Sequence, residues 1–325
     1  MLHLGDTAED IARAAEILRH GGLVAFPTET VYGLGARADD RAAVRKIFEA
    51  KGRPASHPVI VHLPDATWLD AWASDVPPEA RRLAERFWPG PLTLILRRRE
   101  SVPNVVTGGQ DTVGLRVPGH PVALALLRES DVPIAAPSAN RFGRVSATTA
   151  AHVVQDFGDS IDAVIDGGPC PVGLESTIVD LSGEAPRILR LGAIEASALE
   201  TVLGARLRPP NDVAPRVPGA LDTHYSPVTQ LRLVEAARLL DTVARENGVL
   251  CVLARMPRPE GGDVAHWIEM PEDAVDYARV LYDSLRRADR EGADLILVER
   301  PPTGAEWAAV HDRLSRASHV LEPAP

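Results

Sequence analysis

Cysteine is nearly absent: Cys170 and Cys251 are the only two in 325 residues, so neither a disulfide framework nor a cysteine-built zinc site can be assembled. Both are expected as buried apolar fillers. Long hydrophobic runs are missing too. The stretch Val249 to Ala254 stops far short of the roughly 20 residues that a membrane-spanning helix needs. From Met1 to Thr7 the chain runs into a segment carrying Glu9, Asp10, Arg13, Glu16 and Arg19, which lacks the apolar centre of a secretory signal. A cytoplasmic protein without a membrane partner is expected. Positive charge is in deficit, with 35 Lys and Arg against 45 Asp and Glu and a net charge of -10. Stable nucleic-acid binding is therefore not expected, because counterion release at Lys and Arg drives it. A local basic pocket for a small anion stays open. Neither G-x-x-x-x-G-K-[ST] nor a G-x-G-x-x-G between strand and helix occurs, so a nucleotide has to be held in another way.

What is present is the composition of an ordinary folded protein, 45% hydrophobic and 25% charged, with a length suited to two domains. The first two hundred residues alternate helical patterns with short apolar runs. Ile11, Ala14, Ala15 and Leu18 make one stripe behind the N-cap candidate Thr7, and Gly21-Gly22 ends that helix before Leu23-Val24-Ala25-Phe26. Further strands are predicted over Val59 to Leu63, Leu92 to Leu96, Thr112 to Val117, Val132 to Ala136, Ala163 to Asp166, Ser176 to Leu181 and Arg187 to Leu191. Prolines 209, 210, 215, 218 and 227 interrupt the texture and mark a linker. The expected division is 1–205, a linker over 206–228, and 229–325. The last part reads as a smaller α/β domain, with strands at Gln230 to Val234, Val249 to Ala254, Val264 to Met270 and Asp294 to Glu299. Its long helix, Glu272 to Arg290, is expected to bury Val275, Ala278, Leu281, Tyr282 and Leu285, with Arg286, Arg287 and Arg290 favouring the helix C-terminus.

Five short segments carry polar groups at strand or helix ends. Phe26-Pro27-Thr28-Glu29-Thr30-Val31-Tyr32-Gly33-Leu34-Gly35 reads as a turn-rich loop leaving a strand, where α/β folds place ligands; a mere tight connection fits it equally well. Lys51-Gly52-Arg53-Pro54 sets two cations on a loop, able to neutralise a triphosphate or a carboxylate, although an isolated Lys-x-Arg is more commonly a decorated helix end. Ser138-Ala139-Asn140 follows an apolar run, and Ser146 reads as the opening of a helix whose amides could meet an anion. Gly173-Leu174-Glu175-Ser176-Thr177 and Leu189-Arg190-Leu191-Gly192 flank two more strands. Arg116, set between Leu115 and Val117, is expected to be paired or to face a ligand cavity. His62 on its apolar strand is, by itself, more often a hydrogen-bonded core residue than a ligand.

Taken in order, these segments resemble the YrdC/Sua5 family of threonylcarbamoyl-adenylate synthases, and Pro218-Gly219 with His224-Tyr225-Ser226-Pro227 resembles the linker of its two-domain Sua5 form. Each motif is weak alone; their joint order is specific. The resemblance implies an α/β fold, with a YrdC-like open, twisted mixed sheet, flanking helices and a smaller Rossmann-like C-terminal domain. It implies a nucleotidyltransferase that joins L-threonine, bicarbonate and ATP, with Mg²⁺ on the nucleotide, and hands its product to a tRNA threonylcarbamoyl-transferase complex. By the same resemblance, Thr30, His62, Arg116, Ala136 and Ser176 form the threonine set. Lys51, Arg53, His57, Thr112, Ser138, Asn140, Ser146, Arg190 and Tyr225 form the ATP and bicarbonate set, Lys51 and Arg53 being the catalytic cations and Tyr225 a lid. No metal ligand from the protein is implied. Three positions depart from the family's usual pattern: His57 stands in place of Asn, Ala147 and Leu191 in place of Pro. A carbamoyl-adenylate-forming enzyme for another acceptor and an RNA-binding module are the competing readings.

Overall fold

The computed structural model of the chain describes residues 1–219, 224–260 and 266–318. Two compact units form, Met1–Phe142 with Ala147–Ala220, and Gly143–Ser146 with Leu221–Pro325. In the first unit the strands are β1 (Leu2–Leu4), β2 (Val24–Phe26), β3 (Gly33–Arg37), β4 (Ile60–His62), β5 (Ala73–Asp75), β6 (Leu92–Arg98), β7 (Thr112–Arg116), β8 (Ile134–Ala135), β9 (Ala163–Ile165), β10 (Thr177–Asp180) and β11 (Arg187–Arg190). They make one mixed sheet in the order β1-β9-β2-β3-β8-β4-β7-β6-β10-β11, with β5 added to β6.

Successive side chains on a strand point to opposite faces, and the sequence obeys that period closely. Val59, Val61, Leu63, Leu92, Leu94, Leu96, Val113, Leu115, Val117, Val179 and Leu181 all enter the main core, where full burial contributes roughly 1.5–3 kcal/mol for each Val or Leu. The residues between them face the other way. On that second face, helices Ala8–Arg19 and Pro121–Ser130 pack over Val24, Phe26, Ile134 and Ala136. Farther along it, Ile60, Ile95 and Ile178 form a small apolar floor that Val217 covers. The first helix is capped as its sequence predicts, the Thr7 hydroxyl accepting from Asp10 N–H at 3.2 Å, with Ile11, Ala14, Ala15 and Leu18 buried.

Several expectations are corrected. Gly33–Arg37 is a strand paired antiparallel to β2 and β8, not the end of a loop. Its glycines hide the pattern because packing demands them: a Cβ on Gly35 would lie 2.8 Å from both Ile134 Cγ2 and Phe26 Cε1. β1 and β5 were also unforeseen. Ser146 does not open a helix; the next helix is Ala150–Phe157, capped by Thr149, whose hydroxyl accepts from His152 N–H.

In the second unit β12 (Leu231–Val234), β13 (Leu250–Ala254), β14 (His266–Glu269) and β15 (Leu295–Glu299) form an all-parallel sheet ordered β12-β15-β13-β14. Val264, the predicted start of β14, lies outside the described residues. Helix Ala274–Arg290 buries Ala274, Tyr277, Leu281, Tyr282 and Leu285, whereas Val275 is 74% exposed. Arg286 is likewise not a solvent-facing partner of the helix end: it is buried and donates to Val145 O at 2.6 Å and Ser146 O at 3.3 Å. Cys170 and Cys251 are both free and buried, as expected.

Candidate active site

The inter-strand register shows how the polar residues of the first unit are grouped. His62 is paired with Arg116 across β4 and β7, so these two side chains sit side by side on the second face of the sheet. Thr93 follows on β6 from the register pair Leu94–Leu115, and its hydroxyl is 2.8 Å from that of Ser176. Arg190 closes the row. Its Nη2 donates to Ser176 Oγ at 2.9 Å, its Nε to Ser176 O at 3.0 Å and its Nη1 to Pro218 O at 3.0 Å. Gly192 allows that closeness, because a Cβ there would stand 2.4 Å from Thr177 N and 2.6 Å from Glu175 O. The row from β4 to β11 crosses four inter-strand steps, roughly 19 Å, which is more than an amino acid alone would occupy.

Most of the other expected residues gather at the opposite end of the same strands. Lys51 ends helix Arg41–Lys51, with Gly52 in the left-handed conformation as its cap. Its Nζ donates to Ser138 O at 2.5 Å and also to Asn140 O. Arg53 donates to Pro58 O at 2.9 Å and lies 5.6 Å from the Phe142 ring, on which His57 also packs edge-on at 5.3 Å. Burial, then the Arg53 and Arg216 charges, pull the His57 imidazole below its ordinary value. Thr112 starts β7, four residues from Arg116 and so about 13 Å along the strand. A cavity of about 370 Å³ opens beside it, lined by Arg97, Asp111, Asp180, Arg187 and Arg208 among others. Between the two ends Gly114 leaves the floor low; a Cβ there would meet Ile95 Cδ1 at 3.2 Å and Ile60 Cγ1 at 3.5 Å. Ala136 N–H is taken by Ile60 O at 2.9 Å, so only its carbonyl oxygen is on offer to a ligand.

Electrostatically the His62 end is unusual. Burial, followed by the neighbouring Arg116 charge, depresses His62 to about 3, so the imidazole is neutral at any ordinary pH. Its Nδ1 has no hydrogen-bond partner among the described residues. Sequence reasoning missed Glu29. Its Oε1 is 2.7 Å from Arg116 Nη2, both side chains being less than a tenth exposed. The loop that carries it is fixed by Thr28, whose hydroxyl donates to Val31 O at 2.6 Å and accepts from Thr30 and Val31 N–H at 3.2 Å. Thr30 is fully buried, its hydroxyl 2.8 Å from that of Thr28. A signal for Glu29 was available: it is the one charged residue between the apolar run ending at Phe26 and Arg37, and Arg116, set between apolar residues, needed a buried anion.

Ser146 and Tyr225 belong to the second unit. There Tyr225, in the left-handed region with φ 60°, stacks on Tyr282 at 5.8 Å beneath the Arg313 guanidinium at 5.0 Å. Ser146 is buried, its carbonyl held by Arg286.

Residues 16–192 match the Sua5/YciO/YrdC family model, described as telomere recombination, and residues 194–319 match the model described as threonylcarbamoyl-AMP synthase, C-terminal domain. The threonylcarbamoyl-AMP synthase of Pyrococcus abyssi is 43% identical over 94% of this chain and 93% of its own length. That of Bacillus subtilis is 40% identical over 95% and 92%. The crystal structure of P. abyssi Sua5 complexed with L-threonine superposes with a TM-score of 0.91 at 40% identity, covering 98% of this chain and 97% of that one. On the matched family models and on relatives aligned over nearly their full length, the chain belongs to the Sua5/YciO/YrdC family, in its two-domain form.

Proposed function

We propose that this chain is an L-threonylcarbamoyladenylate synthase, a nucleotidyltransferase that makes threonylcarbamoyl-AMP and pyrophosphate from L-threonine, bicarbonate and ATP. The observation that carries the reading is the row His62, Arg116, Thr93, Ser176 and Arg190 on one sheet face, with Lys51 bonded to Ser138 O and Arg53 to Pro58 O just ahead of β4. Thr112 and Arg116, the two ends of β7, stand about 13 Å apart along the strand. That spacing suits a ligand pair, not a single metabolite.

In this reading the threonine ammonium first gives up a proton, bicarbonate takes up one proton and loses water to give carbon dioxide, and the freed nitrogen lone pair bonds to its carbon, giving a carbamate and releasing a second proton. A carbamate oxygen then attacks the α-phosphorus of ATP, and the bond to the bridging oxygen breaks with pyrophosphate as leaving group. No covalent enzyme intermediate arises, so the chain's work is positioning and charge stabilisation. Arg116 holds the amino-acid carboxylate, and neutral His62 offers a ring nitrogen to the threonine hydroxyl. Arg190, locked to Ser176, and the Lys51–Arg53 pair counter the charge that spreads over the phosphates. Mg²⁺ would enter with the nucleotide, since it is commonly held by substrate phosphates and water. The product passes to a tRNA threonylcarbamoyl-transferase complex, and we place the activity in the cytoplasm. No helix among the described residues is long and apolar enough to cross a membrane.

Mass spectrometry after mixing the protein with MgATP, L-threonine and bicarbonate tests this. Threonylcarbamoyl-AMP and pyrophosphate are expected together, and leaving out either threonine or bicarbonate abolishes both. ATP cleavage supported by carbamoyl phosphate, but not by threonine with bicarbonate, would transfer the chain to the carbamoyl-adenylate reading.

A further inference from the structure

Resting on the proposed activity, we infer that Glu29 receives the α-ammonium group of the incoming amino acid, so that Glu29 and Arg116 together select a zwitterion. Three observations converge on it. Glu29 is buried, and neither of its carboxylate oxygens has a hydrogen-bond partner among the described residues. Arg116 is close enough for an ion pair at 2.7 Å, yet its Nη2 also lacks a hydrogen-bond acceptor, so the contact is a charge contact off the hydrogen-bond axis. A buried pair that existed only to hold the loop would gain most from the two-pronged geometry that Arg and carboxylate readily adopt, and orphaned buried polar atoms are costly. Finally, His62 Nδ1, on the residue paired with Arg116, is unpartnered as well. Both Glu29 carboxylate oxygens, Arg116 Nη2 and His62 Nδ1 thus lack hydrogen-bond partners among the described residues in one neighbourhood, although Arg116 Nε donates to Gly90 O at 3.2 Å.

The chemistry that fits those three groups is an α-amino acid with a polar side chain. Its carboxylate meets Arg116, its ammonium meets Glu29, and its hydroxyl meets His62. A ligand with a carboxylate and no ammonium would face Glu29 as an uncompensated like charge. The other groups near Glu29 do not replace it in this role. His120 is pulled below its ordinary value by burial, and the Cys170 thiol is pushed up to about 12 by burial, so both are uncharged. The arrangement has a second consequence once the nitrogen is carboxylated. The substrate's positive charge is then gone, Glu29 is left facing a neutral nitrogen, and the product is held less tightly than the substrate at this end.

Calorimetric titration of the full chain with L-threonine and with (3R)-3-hydroxybutanoate, which keeps the carboxylate and hydroxyl and lacks the amine, tests the assignment. The wild-type chain is expected to bind threonine at least ten-fold more tightly. In Glu29→Gln, threonine binding is expected to weaken ten-fold or more while the hydroxy acid binds as well as before or better. Equal loss for both ligands would make Glu29 a mere support of Arg116 and overturn the inference. So would a wild-type chain that binds both ligands alike, a result that needs no variant to fold. Binding of neither ligand by the wild type would instead bring down the proposed activity, and the inference with it.

Discussion

Replacing Gly192 by alanine puts one methyl group where the backbone of another segment already stands. The new Cβ would lie 2.4 Å from Thr177 N, 2.6 Å from Glu175 O and 2.7 Å from Ser176 C, about 1 Å short of an ordinary contact. All three neighbours are backbone atoms, so no side chain can swing aside; the segments 175–177 and 190–192 have to part. Overpacking of this kind costs about 1–3 kcal/mol in stability. The larger effect is on turnover, because Ser176 and Arg190 are held to each other by two hydrogen bonds across that gap. A shift of about 1 Å in a positioning group can cost 100-fold in rate, equal to about 2.7 kcal/mol of barrier. Pyrophosphate release should therefore fall about 100-fold in Gly192→Ala while the urea midpoint drops only modestly. Gly183→Ala is the control: nothing lies within 4 Å of its added Cβ, and its activity should match the wild type. Gly192→Ala turnover within about three-fold of the wild type would refute the view that this close approach sets the geometry of Arg190.

Lys51→Met keeps the aliphatic stem and removes the charge beside Ser138 and Asn140; pyrophosphate release should fall by about 100-fold or more, whereas calorimetric threonine binding should stay near wild type, because the two ends are separate. His62 gives a pH signature. Its folded value of about 3 lies below the ordinary 6.5, so the unfolded chain binds the extra proton first, and stability is retained above about pH 6.5 and falls as pH drops toward 3. Chemical denaturation of His62→Gln across that window should show a shallower decline, and an equal slope would remove His62 as its source. In the second unit, the Tyr277 hydroxyl is buried without a hydrogen-bond partner among the described residues, so Tyr277→Phe should leave stability unchanged or raise it by about 1 kcal/mol, as thermal melts would read out.

The parts of the fold legible in the sequence were those governed by a clean period. Val59, Val61 and Leu63 alternate with Ile60 and His62, and both the core face and the site face follow from that alternation. Thr7 and the stripe behind it announced the first helix for the same reason. β3 was illegible because close packing against Phe26, Ile134 and Ala136 calls for glycines at 33 and 35, which read locally as a turn. The helix after Ser146 was misplaced because both Ser and Thr serve as caps, Ser the better by itself; Thr149 is the one whose hydroxyl meets an amide. Val275 was assigned to the buried face because helical spacing alone leaves the phase of a long amphipathic helix loosely defined near its first turn. Arg116 was singled out as needing a partner, yet the partner could not be named, since its ion pair with Glu29 joins residues 87 positions apart in sequence.

Along β4 and β7 each polar residue of the site is flanked by core residues, His62 by Val61 and Leu63, Arg116 by Leu115 and Val117. A slip of one position in either strand would turn His62 or Arg116 into the main core and expel three apolar side chains from it at once. Compact forms with these strands misaligned are thereby penalised twice over. Recovered turnover after refolding should consequently count the molecules whose strands have found their partners, and serve as a gauge of correct folding that bulk spectroscopy does not supply.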